Sequence, residues 1–403
     1  MKILFVSDNF IPEVNAPANR TYEHCLRWVE LGHKVTVITC VPNFPKGIVY
    51  PPYKNNLWQK EYINGIEIIR VWSFVSPNKG FILRLIDHLS FMITSLIACF
   101  FIKRFDVIIT TTPQFFTTFT GYLISVIRNK KWILEIRDLW PDSLIAVGII
   151  KKNLLFKFLK KLEYFFYRKA SIIIVVTKSF CNIITKNKIP KTKVHIITNG
   201  VNRKNFRFIG KDENIINKLN LKEYFCIGYI GTIGMAHHIK TLLESAAYLN
   251  TLNYKIKFLI IGSGAEVENI KKQIKKNKID NTIILDQIPH NEISKYWSIL
   301  DCSITHLKKD NLFKSVIPSK IFESMAMGVP IIHGVHGESA DLIRETNTGE
   351  IFKPQDTKEL NSIIIKFYND RKLLRIYKDN CIFASEKFER NNLADKMLDI
   401  FLN

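Results

Sequence analysis

Short, mostly aliphatic runs alternate with helical stretches along this chain, and the alternation starts twice. In the first half the runs fall at residues 2–7, 34–39, 67–71, 106–110, 131–136, 171–177 and 194–198. In the second they fall at 226–231, 257–262, 282–286, 302–305 and 330–333. Runs that are mostly continuous Ile, Val and Leu suit parallel strands covered on both faces. Helical patterns separate many of them, as at 20–31, 240–249 and 319–327. Gly32 and Gly328 follow two of these helices, where a left-handed cap is wanted. The expected fold class is α/β, built of doubly wound sheets.

The pattern restarts near residue 225, after a polar stretch at 202–224. A chain of 403 residues suits two domains, and we expect them at 1–205 and 206–384. Ligands of such sheets bind at the carboxyl ends of the strands, so two facing domains would hold a cleft between those ends.

The formal net charge of +22 points to a polyanionic partner, namely nucleic acid, an anionic membrane or a phosphorylated substrate, unless it reflects a Lys-rich genome. The seven cysteines are scattered with no C-x-x-C, which suits reduced thiols in a cytosol and argues against a Cys-based zinc site. No Asp-x-Asp or compact His/carboxylate cluster is seen, so no metal is expected. Residues 2–6 run straight into Ser7 and Asp8 and read as a first strand rather than a leader. The longest apolar stretch, 90–102, falls short of the roughly 20 residues that span a bilayer, and reads as a buried or half-membrane-facing helix.

Three segments of the second half carry ligand chemistry. A strand leads into Gly231-Thr232-Ile-Gly234, followed by His237. Glycines let backbone approach a phosphate closely, although a tight strand-to-helix turn uses them equally well. A second strand ends in Gly262-Ser-Gly264, and two such turns on neighbouring parallel strands favour a nucleotide crevice. In Pro318-Ser-Lys-Ile-Phe-Glu-Ser-Met-Ala-Met-Gly-Val-Pro330, Pro318 and Ser319 suit a helix start. Lys320 and Glu323 share one helical face, while Ile321, Phe322, Met325 and Ala326 pack the other. The carboxylate suits vicinal ribose hydroxyls and the ammonium a phosphate; an ordinary surface pair is the competing reading. Glu338 opens a later helix, where it either complements the dipole or approaches a donor.

These segments resemble the donor domain of retaining GT-B glycosyltransferases of family four. The resemblance extends over essentially the whole chain through Arg137-Asp-Leu-Trp-Pro-Asp-Ser143, Ile197-Thr-Asn-Gly-Val201 and a final helix ending Lys396-Met-Leu-Asp-Ile-Phe401. It is nearest to a bacterial surface-polysaccharide subgroup that includes N-acetyl-L-fucosaminyl transferases. The resemblance implies two Rossmann-like domains facing across a cleft, with the helix at 385–403 packing back on the first. It also implies a UDP-sugar co-substrate with no metal or other cofactor, retention of configuration, and an undecaprenyl-diphosphate-linked saccharide acceptor.

By the same resemblance Glu323 matches the second acid of a Glu-x7-Glu motif and takes the donor ribose. The first acid falls on Ser315, and the usual basic pair falls near Thr232 and His237. Diphosphate binding then leans on the Gly231–Gly234 amides, Lys320 and His237. The loop before the first helix lacks the usual glycine pair, and Ala16 and Ala18 keep it compact. Arg20 is a candidate for an acceptor or donor phosphate, or a water-exposed helix-start residue. Arg137 and Asp138 follow a strand and are the catalytic candidates, with Trp140 as a sugar-stacking surface; Asp138 could instead cap the next turn.

The segment 151–169 opens on Lys151, closes on Lys169 and carries seven basic residues against the single acid Glu163. As a helix it gathers Leu154, Leu155, Phe158, Leu159, Leu162, Phe165 and Phe166 on one face. Phe156, Tyr164 and Tyr167 lie among the cations, which suits the anionic inner face of a cell membrane better than nucleic acid. The protein is then expected in the cytoplasm, peripheral on that membrane. Two rival functions stay open at this point: a nucleotide-sugar epimerase on the same fold, and a basic membrane-binding protein without activity. A nicotinamide dehydrogenase is disfavoured, since no G-x-G-x-x-G opens a βαβ unit.

Overall fold

The computed structural model describes residues 1–76, 81–146, 148–208 and 210–402. The chain divides into two units, Met1–Thr198 with Arg390–Asn403, and Asn199–Glu389. The first unit runs β1 (Lys2–Val6), α1 (Ala16–Glu30), β2 (Lys34–Cys40), β3 (Trp58–Ile63), β4 (Ile66–Val71), α2 (Phe81–Phe101) and β5 (Val107–Thr111). It continues through α3 (Thr117–Arg128), β6 (Lys131–Ile136), α4 (Asp142–Ala146), α5 (Leu154–Lys169), β7 (Ile172–Val175), α6 (Lys178–Thr185) and β8 (Val194–Ile196).

Its sheet has the order β3-β4-β2-β1-β5-β6-β7-β8. All neighbours are parallel except β3 and β4, which form an antiparallel hairpin. Asn64 and Gly65 supply the two positive φ values that such a two-residue turn needs. Every aliphatic run expected in this half forms a strand. The polar edge strand β3, whose residues alternate between exposed and half-buried, was not expected.

The second unit runs α7 (Glu213–Lys218), β9 (Phe225–Ile230), α8 (Lys240–Thr251), β10 (Ile256–Ile261), α9 (Val267–Lys276), β11 (Thr282–Leu285) and α10 (Ile293–Ser298). It continues through β12 (Cys302–His306), α11 (Lys320–Ala326), β13 (Ile331–Gly334), α12 (Glu338–Thr346), β14 (Gly349–Ile351), α13 (Thr357–Asn369) and α14 (Arg371–Ser385). The strand order β11-β10-β9-β12-β13-β14 is that of a doubly wound dinucleotide-type sheet, all parallel. Both faces are covered, one by a cluster containing Ile321, Phe322 and Met325, the other by one containing Leu242, Ile364 and Phe367.

The last helix, α15 (Arg390–Leu402), belongs to the first unit. Trp28 of α1 donates from its indole nitrogen to Ala394 O at 2.9 Å and meets Phe401 edge-on. Arg27 grips Asp395 with two hydrogen bonds of 2.7 and 2.9 Å.

Two helices differ from expectation. α1 starts at Ala16, because Asn15 caps it by accepting from Ala18 N at 2.8 Å. Arg20 is therefore inside the helix rather than at its opening. α2 is a 21-residue helix, longer than the apolar run at 90–102, because Ile82, Leu83 and Ile86 extend the apolar stripe toward its start.

Candidate active site

In the second sheet the direction of winding reverses between β9 and β12, and a ligand crevice belongs at the carboxyl ends of those strands. The Gly231–Gly234 turn leaves the end of β9 at that point. Gly231 N donates to Ile261 O at 2.9 Å and Ile233 N to Ser263 O at 2.8 Å, so this turn lies against the Gly262–Gly264 turn. A Cβ on Gly262 would lie 1.9 Å from Gly231 O, and one on Gly264 2.4 Å from Ile233 O. Gly262 and Gly264 are thus required by the approach of one turn to the other. Gly234 is different: a Cβ there would meet nothing closer than 3.6 Å.

α11 places Lys320 at the first of these turns. Ile321, Phe322, Met325 and Ala326 are buried on one side of this helix, and Ser324 bonds Ser303 of β12 at 2.7 Å. The other side carries Lys320 and Glu323, both half-buried, with Ser319 at the N-cap. Lys320 Nζ is buried with no hydrogen-bond partner among the described residues. It lies 3.6 Å from the ring centre of Tyr229 and 3.1 Å from where a Gly231 side chain would start. Loss of water pulls its pKa down to about 7, with Glu323 opposing the shift. A buried ammonium without a hydrogen-bond partner beside a glycine turn suits an anion.

His237 lies in the same loop, its N–H bonded to Gly234 O at 3.0 Å and its Nδ1 unpartnered among the described residues. Burial first, then Lys320, lower its pKa to about 3, so it is neutral and can offer a hydrogen bond but no charge. Thr232 is exposed, and its carbonyl accepts from Tyr229 Oη at 2.5 Å. Glu338 is half-buried at the start of α12. Ser315, where the first acid of the motif would fall, is buried and donates to Leu312 O at 2.6 Å.

In the first unit the sequence candidates divide. Arg20 is 1% exposed, donating to Glu135 Oε1 at 2.8 Å, Thr198 O at 2.6 Å and Ile197 O at 3.0 Å. Its guanidinium is committed to joining α1, β6 and the segment after β8, which corrects the phosphate or water-exposed reading. Trp140 stacks on Phe115 with ring centres 4.3 Å apart and is 8% exposed. That ring face belongs to the core, which corrects the sugar-stacking reading. Ala16 is exposed at the first position of α1.

Arg137 follows β6 with Nε and Nη1 buried and unpartnered among the described residues. Burial lowers its pKa to about 9, Glu135 opposing and Arg20 and Arg390 assisting. Burial also raises the pKa of Asp138, while the Ser143 hydroxyl and Leu139 N–H hold it down. Those two partners make Asp138 a cap of the turn into α4, as the alternative reading had it.

Sequence reasoning missed the reversal point of this first sheet, between β1 and β5. Asp8 follows β1 there, accepting from Asn9 Nδ2 at 2.8 Å and, more weakly, from Cys40 Sγ at 3.5 Å. Gln114 follows β5, 4% exposed, and its side chain opposes the rise of the Asp8 pKa. Glu13 accepts from Asn43 N and Phe44 N, both at 2.8 Å. Loss of water raises the pKa values of Asp8 and of Asp87 on α2, and the two carboxyls repel each other through the pair. Burial raises Glu13 to about 7. No pattern of spacing reveals this group, because strand order alone brings it together.

The geometry agrees with comparisons to known proteins. Residues 18–205 match the model of Glycosyltransferase Family 4, and residues 211–382 that of Glycosyl transferases group 1. A probable glycosyltransferase, WbjE of Pseudomonas aeruginosa, is 25% identical over 267 residues, which is 65% of this chain and 66% of that relative. The putative colanic acid biosynthesis glycosyl transferase WcaI of Escherichia coli is 23% identical over 339 residues, 81% of this chain and 82% of the relative. The crystal structure of Anabaena HepE in complex with UDP and glucose covers 100% of both chains with a TM-score of 0.76 at 13% identity.

Proposed function

The chain is a glycosyltransferase with the GT-B fold, its halves belonging to Glycosyltransferase Family 4 and to Glycosyl transferases group 1, and we propose that it transfers a sugar from a UDP-sugar to a lipid-linked oligosaccharide in bacterial surface-polysaccharide assembly. The donor sugar is an N-acetylated hexosamine such as N-acetyl-L-fucosamine, and transfer proceeds with retention on the cytoplasmic face of the membrane. The single observation that carries the donor assignment is Lys320: a buried ammonium with no hydrogen-bond partner among the described residues, facing the Gly231–Gly234 turn where the sheet reverses. The surface-polysaccharide context comes from relatives such as the colanic acid transferase and a capsular polysaccharide transferase of Staphylococcus aureus.

In this reading Glu323 accepts hydrogen bonds from the ribose hydroxyls. The turn amides and Lys320 take the charge that grows on the leaving diphosphate as the sugar passes through an oxocarbenium-like state. Lys320 and the peptide dipoles do this without a metal ion. The acceptor hydroxyl approaches on the face the diphosphate leaves.

Calorimetry with UDP, GDP, ADP and dTDP in EDTA, on wild type and Glu323→Ala, tests the assignment. Selective UDP binding that survives EDTA and collapses in the variant supports it. Unchanged binding in Glu323→Ala removes the ribose role.

A further inference from the structure

The membrane reading of segment 151–169 meets a partial correction. Leu159, Glu163, Phe166 and Tyr167 of α5 are buried, and Tyr167 donates to Glu163 Oε1 at 2.5 Å. Phe166 packs edge-on against Phe119 of α3 at 4.7 Å. Tyr167, with Leu159 and Phe166 of the proposed lipid face, therefore belongs to the core; the exposed apolar residues of α5 are Leu154, Leu155 and Phe158, near its start.

The larger exposed apolar surface lies two helices away in the same layer. Ile82–Phe101 is long and apolar enough to cross a bilayer, and only 22% of an 18-residue window within it is buried. Ile82, Ile86, Ile93, Ile97, Phe100 and Phe101 are exposed at helical spacing along one stripe. The opposite stripe, Phe91, Ser95, Ala98 and Cys99, is buried at 1% or less. Thr94 Oγ1 donates to Trp72 O at 2.8 Å, and Ser95 meets Thr120 of α3 at 3.1 Å. A helix fastened to its own domain along its inner side cannot thread a bilayer, but its outer side can lie in one.

The stripe continues onto its neighbours. Phe101 meets Trp58 of β3 edge-on at 5.9 Å, and Arg128 at the end of α3 donates to Phe100 O at 2.8 Å. Leu123, Val126 and Ile127 of α3 are exposed beside it. Cations gather where α2 and α3 end: Lys103, Arg104, Lys130 and Lys131 are exposed around Arg128. An apolar ridge ending in a cationic cluster is complementary to acyl chains under anionic headgroups, and a chain of net charge +22 adds long-range attraction.

We propose that the exposed stripe of α2, with Leu123, Val126 and Ile127 of α3 beside it, lies flat in the surface of an anionic bilayer, with Lys103, Arg104, Lys130 and Lys131 on the headgroups. The inference deepens the lipid-linked acceptor reading and rests on it only for its purpose, since bilayer binding is measured separately from transfer.

The test is flotation of the full chain with vesicles of phosphatidylglycerol and phosphatidylethanolamine, and with phosphatidylcholine alone. Ile93→Ser with Ile97→Ser alters two side chains already 52% and 53% exposed, so the fold and UDP affinity are expected to stay as in wild type. At least a tenfold loss of vesicle binding is expected in that variant. A comparable loss is expected for Lys103→Glu with Arg104→Glu on anionic vesicles. Binding that persists in both pairs but falls in Lys157→Glu with Lys161→Glu would return the surface to α5 and overturn the proposal. Wild type that ignores anionic vesicles, resists carbonate extraction from them, or forms a dimer that Ile93→Ser and Ile97→Ser dissociate also overturns it. UDP binding and transfer to a water-soluble acceptor remain the separate check on the glycosyltransferase reading.

Discussion

Lys320 Nζ lies over the ring of Tyr229, 3.6 Å from its centre, with no hydrogen-bond partner among the described residues. The ring face offers the ammonium a weak electrostatic partner while leaving its N–H groups free to point at the Gly231 turn. Because burial lowers its pKa to about 7, part of the population is neutral in the unliganded protein near that pH. A bound diphosphate favours the charged form and raises the pKa, so binding near pH 8 takes up a proton. UDP affinity should therefore be highest below about pH 7 and weaken as pH rises toward 9. Lys320→Met should lose roughly 10- to 100-fold in affinity, the worth of a hydrogen bond to a charged group, and lose most of this slope. Calorimetry in two buffers of different ionisation enthalpy measures the proton uptake; a pH-independent affinity in wild type would contradict the assignment.

Gly262 and Gly234 separate structural glycines from ligand-facing ones. Gly262→Ala drives a methyl group to 1.9 Å from Gly231 O, so the first turn must move. We expect a loss of UDP binding together with destabilisation of the second unit by about 1–3 kcal/mol. Gly234→Ala meets nothing closer than 3.6 Å and should fold as wild type does. A loss of UDP affinity in Gly234→Ala with unchanged melting temperature places the ligand against that backbone. Unchanged affinity means that the turn is only a turn.

Much of this was legible in the sequence, and what was not has physical reasons. The continuous aliphatic runs give up their strands because a parallel sheet buried on both faces leaves little other use for them. Trp58–Ile63 escaped because an edge strand with polar, alternating residues lacks that signal, although Asn64-Gly65 marked its hairpin. Lys320 and Glu323 stood out through their helical spacing. Arg20 and Trp140 were misread because their neighbours in space, Glu135 with Ile197 and Thr198, and Phe115, are not their neighbours in sequence. Asp8 and Gln114 were invisible for the same reason: only the order of the strands makes them a group.

The buried pair of Arg20 and Glu135 should matter for stability rather than for substrate. Each is 1% exposed, and Thr111 Oγ1 also donates to Glu135 Oε2 at 2.7 Å. Removing one partner of such a pair leaves the other charge buried and costs about 3–5 kcal/mol. Arg20→Ala should lower the urea midpoint of the first unit by that measure while UDP affinity, which belongs to the second unit, is unchanged. Arg20→Lys should recover only part, since one ammonium cannot reproduce the planar fork that reaches a carboxylate and two carbonyls. A variant of unchanged stability that no longer binds acceptor would restore the phosphate reading.

The acids at the first sheet's reversal point make stability depend on pH with an unusual sign. Burial raises Glu13 from 4.5 to about 7, and Asp8 and Asp87 move the same way. In the unfolded chain these carboxyls lose their protons near their ordinary values, so between about pH 4.5 and 7 the folded state holds more protons. The contribution of Glu13 is therefore fully present below its unfolded pKa and is lost as pH rises through its folded one. Glutamine at this position can still accept the N–H bonds of Asn43 and Phe44, so Glu13→Gln keeps the loop while removing the titration. Thermal unfolding at intervals from pH 4.5 to 8 should show the two proteins converging at the acid end and the variant more stable at pH 8. The difference between them isolates Glu13 from His24, whose pKa burial lowers in the same unit. A variant that falls below wild type in stability as pH rises would mean that the two backbone donors hold Glu13 ionised.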